Sequence, residues 1–195
     1  MRIIHFSCIL VLGASLAGCN FKGTPDPVLS KRDTEWMALA PQAEEDRIYG
    51  RYLTADPTGE APGTVVVDTK ERQLYLVLPD RKAMRYGVTV GDEAFGWTGT
   101  ARIARKAERP AWNPPAEMKR RWPHVHPVAG GPQSPLGARA LYLYAGARDT
   151  LYRIHGTNEP EKIGRAASSG CIRMRNIDVI DLANRVDLGT KVIVR

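Results

Sequence analysis

Between Arg109 and Leu136 the chain carries seven prolines, at positions 110, 114, 115, 123, 127, 132 and 135. Each proline fixes φ and removes a backbone donor, so regular sheet cannot run through this stretch. The expected outcome is a long irregular loop, which in a compact domain commonly serves as a functional lid or wall. On either side of it the pattern is β. Thr64-Val65-Val66-Val67 is a β-branched run, and Leu74, Leu76 and Leu78 recur at period two beyond a loop at Asp68–Arg72. Met84–Val90, Thr100–Arg105, Ala140–Tyr144 and Leu151–His155 are further strand candidates.

One helix is expected in this region. Asn176 reads as its N-cap, Asp178 suits the first turn, and Val179, Leu182, Ala183 and Val186 form an i, i+3, i+4, i+7 stripe. Gly189 ends it, and Lys191–Val194 supplies a last strand. The fold class predicted is therefore mostly β with one main helix (α+β), within a single domain over 63–195, a span of 133 residues.

The N-terminal third reads differently. Residues 1–18 have one early charge, Arg2, then an apolar run ending in small residues, which is the anatomy of a signal peptide. Leu16-Ala17-Gly18-Cys19 resembles the lipobox of bacterial lipoproteins. That resemblance implies cleavage before Cys19, lipidation of its thiol, and a membrane anchor without a spanning helix. With Asn20 after the cysteine, it points to a periplasmic location at the outer membrane. Residues 19–62 are polar and proline-rich. They are expected to form a tether with one short helix, starting at Asp33-Thr34-Glu35 and interrupted at Pro41.

Formal net charge is +7, and +6 once residues 1–18 and their single arginine are removed. This suits an anionic target such as cell wall or phospholipid headgroups. The basic residues are dispersed, no helix gathers them into a stripe, and an export signal points away from nucleic acid.

Of three cysteines, Cys8 would leave with the signal and Cys19 would carry lipid. Cys171 then has no disulfide partner. It lies in Ser168-Ser169-Gly170-Cys171-Ile172-Arg173-Met174, sixteen positions after His155. A cysteine near an imidazole, preceded by a flexible turn able to present backbone N–H groups, has the parts of cysteine acyl transfer. A strand-end histidine and a small buried thiol satisfy the same pattern without chemistry.

Ile154-His155-Gly156-Thr157, then Ile163-Gly164, then the Ser168–Met174 segment, resemble the active-site signature of the bacterial L,D-transpeptidases (the YkuD domain family). Trp112-Asn113-Pro114-Pro115 resembles the family's Trp-x-Pro-Pro element. Gly130-Gly131 through Pro135-Leu136-Gly137 resembles its Gly-Gly…Asn-Pro-Leu-Gly element, with Ser134 in the asparagine position. The resemblance implies a β-sandwich-like catalytic domain in which Cys171 attacks the third residue of a peptidoglycan tetrapeptide stem. It makes His155 the general base, the Gly156 carbonyl the group that orients the imidazole, and the N–H groups of Gly170 and Cys171 the oxyanion donors. Ser169 stands where the family often has histidine and is expected to line the substrate pocket, while Arg173 is expected to help shape that pocket or to bind a substrate carboxylate. D-Alanine would leave and an amine would resolve the thioester, giving a 3→3 crosslink.

The same residues fit hydrolysis as an L,D-carboxypeptidase or attachment of a protein lysine to peptidoglycan. A third alternative is a non-catalytic wall-binding lipoprotein. No metal or organic cofactor is implied. His124 and His126 place two imidazoles on one extended segment, too few for a zinc site. Trp97, Trp112 and Trp122 read as core or loop anchors, and Lys119-Arg120-Arg121 as a solvated cationic face.

Overall fold

The computed structural model describes residues 24–44, 46–92 and 96–195. The signal-peptide and lipobox readings at 1–19 lie outside the described residues. Among the described residues ten strands and three α-helices follow in chain order: α1 (Lys31–Leu39), β1 (Tyr52–Ala55), β2 (Val65–Asp68), β3 (Gln73–Leu78), β4 (Lys82–Gly91), β5 (Gly99–Glu108), α2 (Ala116–Arg121), β6 (Arg139–Ala145), β7 (Arg148–His155), β8 (Ala166–Ser168), β9 (Ile172–Met174), α3 (Asn176–Arg185) and β10 (Lys191–Val194). The protein is mostly strands with few helices, as the period-two runs predict.

The sheet closes on itself. Its order is β1-β4-β3-β2-β10-β5-β6-β7-β9, and β9 pairs back onto the far half of β4 through Val88↔Met174 and Thr89↔Arg173. The circuit is barrel-like and does not of itself divide into the two layers of a sandwich. Two parallel contacts hold it together, β2 with β10 and β7 with β9.

Alternation sorts the side chains. Val65 and Val67 of β2, Leu74 and Leu76 of β3, Met84, Tyr86 and Val88 of β4, and Leu141 and Leu143 of β6 enter one core. The intervening Val66, Tyr75, Val77 and Ala83 form a smaller cluster on the other face. Helix α3 adds Val179, Ile180, Leu182 and Ala183 to the main core. Its polar residues are also buried: Asp181 accepts the Tyr86 hydroxyl at 2.7 Å, and Asp178 holds Arg51 at 3.2 Å and Arg175 at 2.7 Å.

The expected tether is instead docked onto the domain. Ser30 caps α1 by accepting the Asp33 N–H at 3.1 Å, three residues ahead of the predicted start. Trp36 enters the main core. The Asp33 carboxylate lies between Arg109 (2.6 Å) and Arg139 (2.8 Å), and all three side chains are largely buried. Strand β1 pairs antiparallel with β4, Tyr52 opposite Arg85. Before it, the Tyr49 ring lies so close to Gly164, which has φ of 86°, that it fills the space a Cβ there would need. Hydrogen bonding to the domain extends back to Thr24, whose N–H donates to Arg51 O at 3.1 Å.

The proline-rich loop also differs from expectation. A six-residue helix, α2, fits between Pro115 and Pro123. Trp112 and Val128 exchange backbone hydrogen bonds of 2.8 and 2.9 Å, which pinch the excursion into a lid with α2 at its tip. Ser134, fully buried, closes the exit by donating to Pro110 O at 3.0 Å and accepting the Leu136 N–H at 3.3 Å. Among the described residues no helix is long and apolar enough to cross a membrane.

Candidate active site

β7 ends at His155, and β9 begins one residue after Cys171. The two strands run parallel with Ile154 opposite Ile172 and His155 opposite Arg173. Both isoleucines are buried in the main core. By the two-residue period of a strand, Arg153, His155, Cys171 and Arg173 therefore share the opposite face. The register thus brings the cysteine and the histidine of the sequence motif to one place. Cys171 Sγ lies 4.0 Å from Leu151 O on β7.

His155 is buried, and its Nδ1 is 2.6 Å from the Gly156 carbonyl. Burial pushes its pKa down to about 4, helped by the Arg173 and Arg153 charges and opposed by the Gly156 hydrogen bond. The ring is then neutral near pH 7. A carbonyl can only accept, so the single ring proton sits on Nδ1 and Nε2 carries the lone pair. That is the tautomer a base needs.

Burial raises the Cys171 pKa, while the Arg153 backbone N–H and the Arg153 and Arg173 charges act against it. Both groups therefore rest uncharged near pH 7, Cys171 as a thiol and His155 as a neutral imidazole.

Asn176 holds this corner in place. It is not the N-cap that its sequence position suggests but the first residue of α3, behind Arg175, and no side chain caps the helix. Its buried amide instead accepts the Ala138 N–H at 3.0 Å and the Thr157 N–H at 3.3 Å, and donates to Thr157 O at 2.7 Å. The close approach explains the glycine after the histidine: a Cβ at Gly156 would overlap Asn176 Oδ1.

The turn before Cys171 engages one of the anticipated oxyanion donors. The Gly170 N–H, anticipated as an oxyanion donor, donates to Ser168 Oγ at 3.1 Å, and the same hydroxyl donates to Cys171 O at 2.6 Å. Ser168 therefore braces the turn. Ser169, at the position where histidine was anticipated, is exposed and lines a cleft of about 390 Å³ with Met118, Arg121 and Trp122 of the α2 lid. Arg173 is committed to Glu159 at 2.7 Å, a carboxylate also held by Lys162.

Sequence reasoning missed Ser168, Asn176, Arg153 and Glu159 as parts of the site. The Ser168–Cys171 motif contained the first, but nothing local marked the other three. His124 and His126 are exposed on the lid beyond α2, and among the described residues no three His, Cys, Asp or Glu side chains gather as a metal site would require.

Comparison with known proteins bears on the family and the fold. Residues 62–194 match the L,D-transpeptidase catalytic domain (YkuD). A Fuscovulum blasticum protein named as an L,D-transpeptidase, ORF 5 of the ATP synthase subunits region, is 41% identical over 131 residues, 66% of this chain and 67% of its own. An Escherichia coli protein named as the L,D-transpeptidase ErfK/SrfK is 33% identical over 157 residues; the match covers 73% of this chain but only 48% of that relative.

Among solved structures, a Brucella melitensis protein described as a carnitine operon oxidoreductase is 44% identical, with a TM-score of 0.52 over 81% of this chain and 97% of that one. A mutant of an Enterococcus faecium L,D-transpeptidase shares the fold at 14% identity, with a TM-score of 0.55 over 69% of this chain and 50% of its own. The domain match over most of the chain and the 41% relative place this protein in the L,D-transpeptidase (YkuD) catalytic-domain family.

Proposed function

We propose that the protein is a cysteine acyltransferase that forms 3→3 crosslinks in peptidoglycan. One observation carries this reading: the β7–β9 register sets Cys171 and His155 on one face, with the Nδ1 proton of His155 committed to Gly156 O. In the reaction His155 Nε2 takes the Cys171 proton as sulfur attacks the carbonyl of the stem's third residue. The oxyanion is met by backbone N–H groups of the 168–171 turn, Gly170 excepted while Ser168 holds it. The proton passes to the departing D-alanine, leaving a thioester. An acceptor amine on a second stem then attacks the thioester and restores the thiol.

The α2 lid, with Arg121 and Trp122 beside Ser169, is where the stem enters. We further propose that Cys19 carries lipid and that the protein works in the periplasm at the outer membrane. The Thr24 N–H, five residues beyond Cys19, donates to Arg51 O of the domain. At about 3.5 Å per residue, the domain could then stand no more than roughly 17 Å from its anchor.

Mass spectrometry of the chain from Asn20, incubated with disaccharide-tetrapeptide, tests the chemistry. The expected product is a dimer equal in mass to two tetrapeptides less one D-alanine. Tripeptide alone would reassign the chain to hydrolysis, or to an acceptor such as a protein lysine absent from the mixture. No change with active-site thiol intact would leave a non-catalytic wall-binding protein.

A further inference from the structure

We propose that the sheet face beside Cys171 carries a carboxylate-binding subsite, formed by Arg105, Tyr142 and Arg153, for a peptide carboxylate one extended side chain away from the carbonyl under attack. The inference rests on the acyl-transfer reading for the identity of the peptide, but its residues lie outside the catalytic pair.

Three strands place these side chains in a row. Arg153 on β7 occupies the register position opposite Cys171, one step before the Ile154↔Ile172 pair. Tyr142 on β6 is opposite Arg153, and Arg105 on β5 is opposite Tyr142. Strands lie about 4.8 Å apart, so the row runs directly outward from the nucleophile, one strand per step.

The side chains confirm the shared face. The Arg105 guanidinium carbon is 3.6 Å from the Tyr142 ring centroid, and that of Arg153 is 4.5 Å from it. Two cations on one aromatic ring form a flat, pre-organised surface.

The two arginines have different work. Arg153 is fixed and neutralised: its two terminal nitrogens bind the Asp149 carboxylate at 2.9 and 3.0 Å, and one of them also donates to Tyr152 O at 3.0 Å. It holds the ring and contributes little net charge outward. Arg105 is exposed, and among the described residues no carboxylate pairs with it. Its planar fork is held against Tyr142 with N–H groups left for a ligand, the geometry that suits bidentate carboxylate binding. Arg173, the cation sequence reasoning expected in this role, is already taken by Glu159. Arg105 is thus an unneutralised cation on this face, stacked on the ring that Arg153 also holds and offset from the thiol by strand spacings.

The test is binding, so that it survives a failure of catalysis. The Cys171→Ala protein is titrated calorimetrically with disaccharide-tetrapeptide whose third-residue side-chain carboxylate is free, and with the same compound amidated there. The free acid is expected to bind about tenfold more tightly, the range of one charge-assisted contact at a partly exposed site. Adding Arg105→Ala should erase the difference, and Arg105→Lys should restore only part of it, because a lysine keeps the charge without the stacked fork. Equal binding of acid and amide by the parent, or a preference that persists after Arg105→Ala, overturns the subsite. Arg105 is exposed, so its variants should melt with the parent. Failure of the acyl-transfer reading itself appears elsewhere, as absence of turnover by the wild-type protein.

Discussion

The side-chain oxygen of Asn176 occupies the space that a Cβ on Gly156 would need. One amide thus holds the exit of β7 and, through the Gly156 carbonyl, the tautomer of His155. Asn176→Ala should strand the Ala138 and Thr157 N–H groups and the Thr157 carbonyl. Its expected cost is about 2 kcal/mol in urea unfolding, together with a fall in kcat. Gly156→Ala should destabilise by a similar amount through overpacking. Wild-type midpoints in both variants would show that the latch has no structural weight.

A β-lactam of the carbapenem class should acylate Cys171, adding its full mass to the protein. Cys171→Ala should show no adduct, and Cys171→Ser should lose turnover, since a hydroxyl is far harder to ionise. An adduct that survives Cys171→Ala would move the nucleophile elsewhere.

Burial holds the His155 pKa at about 4 in the folded chain, while the unfolded chain takes up that proton near 6.5. Between those values the unfolded state binds more protons, so stability should rise with pH across that window. It should fall on acidification by an amount on the order of 3 kcal/mol. Urea midpoints at pH 4.5 and 7 test this, and His155→Gln should flatten that part of the curve. An unchanged slope in the variant would assign the acid sensitivity to other groups.

Asp33 works at the other end of the acid range. Burial alone would raise its pKa, but hydrogen bonds from Arg139 and Ser30 and the Arg139 and Arg109 charges outweigh it and lower the value. Its contribution is present above the ordinary aspartate pKa and is lost as pH falls through the lowered folded value. Asp33→Ala leaves two buried guanidiniums without their shared carboxylate and should cost about 3 kcal/mol. A chain beginning at Gly63 should be less stable still, because Trp36 and β1 go with it. If that truncated chain melts like the full one, the docked segment is only a tether after all.

Cys19→Ala should abolish incorporation of labelled palmitate and release the protein from the membrane fraction. Labelling that persists in this variant would refute anchoring at Cys19.

Much of the β architecture was legible because Val65–Val67 and Leu74–Leu78 announce themselves by branching and period two, whatever they pack against. β1 was not. Tyr52–Ala55 is short and flanked by turn residues, and it becomes a strand through pairing with β4, a tertiary effect that local propensity does not carry. Asn176 misled for a related reason. A short amide at a helix start favours capping, but here two distant backbone segments compete for it and win. The cysteine and histidine were legible from their motif, whereas Arg153 looked like any charged residue on an exposed strand until the register set it beside Cys171. Gly170 invited the oxyanion role because its N–H is near the thiol; only the folded turn shows Ser168 consuming it.

β10 comes last in chain order, yet it sits between β2, the first strand of the closed circuit in sequence, and β5. Its four residues are the stave that completes the ring. A chain emerging N-terminus first cannot close its sheet until Val194 has arrived, and one stopped short of Lys191 exposes the edges of β2 and β5 together. A truncated product thus cannot pass for a finished one, because its bare strand edges mark it for aggregation or proteolysis. The long sequence separation of that final pairing also predicts slow folding.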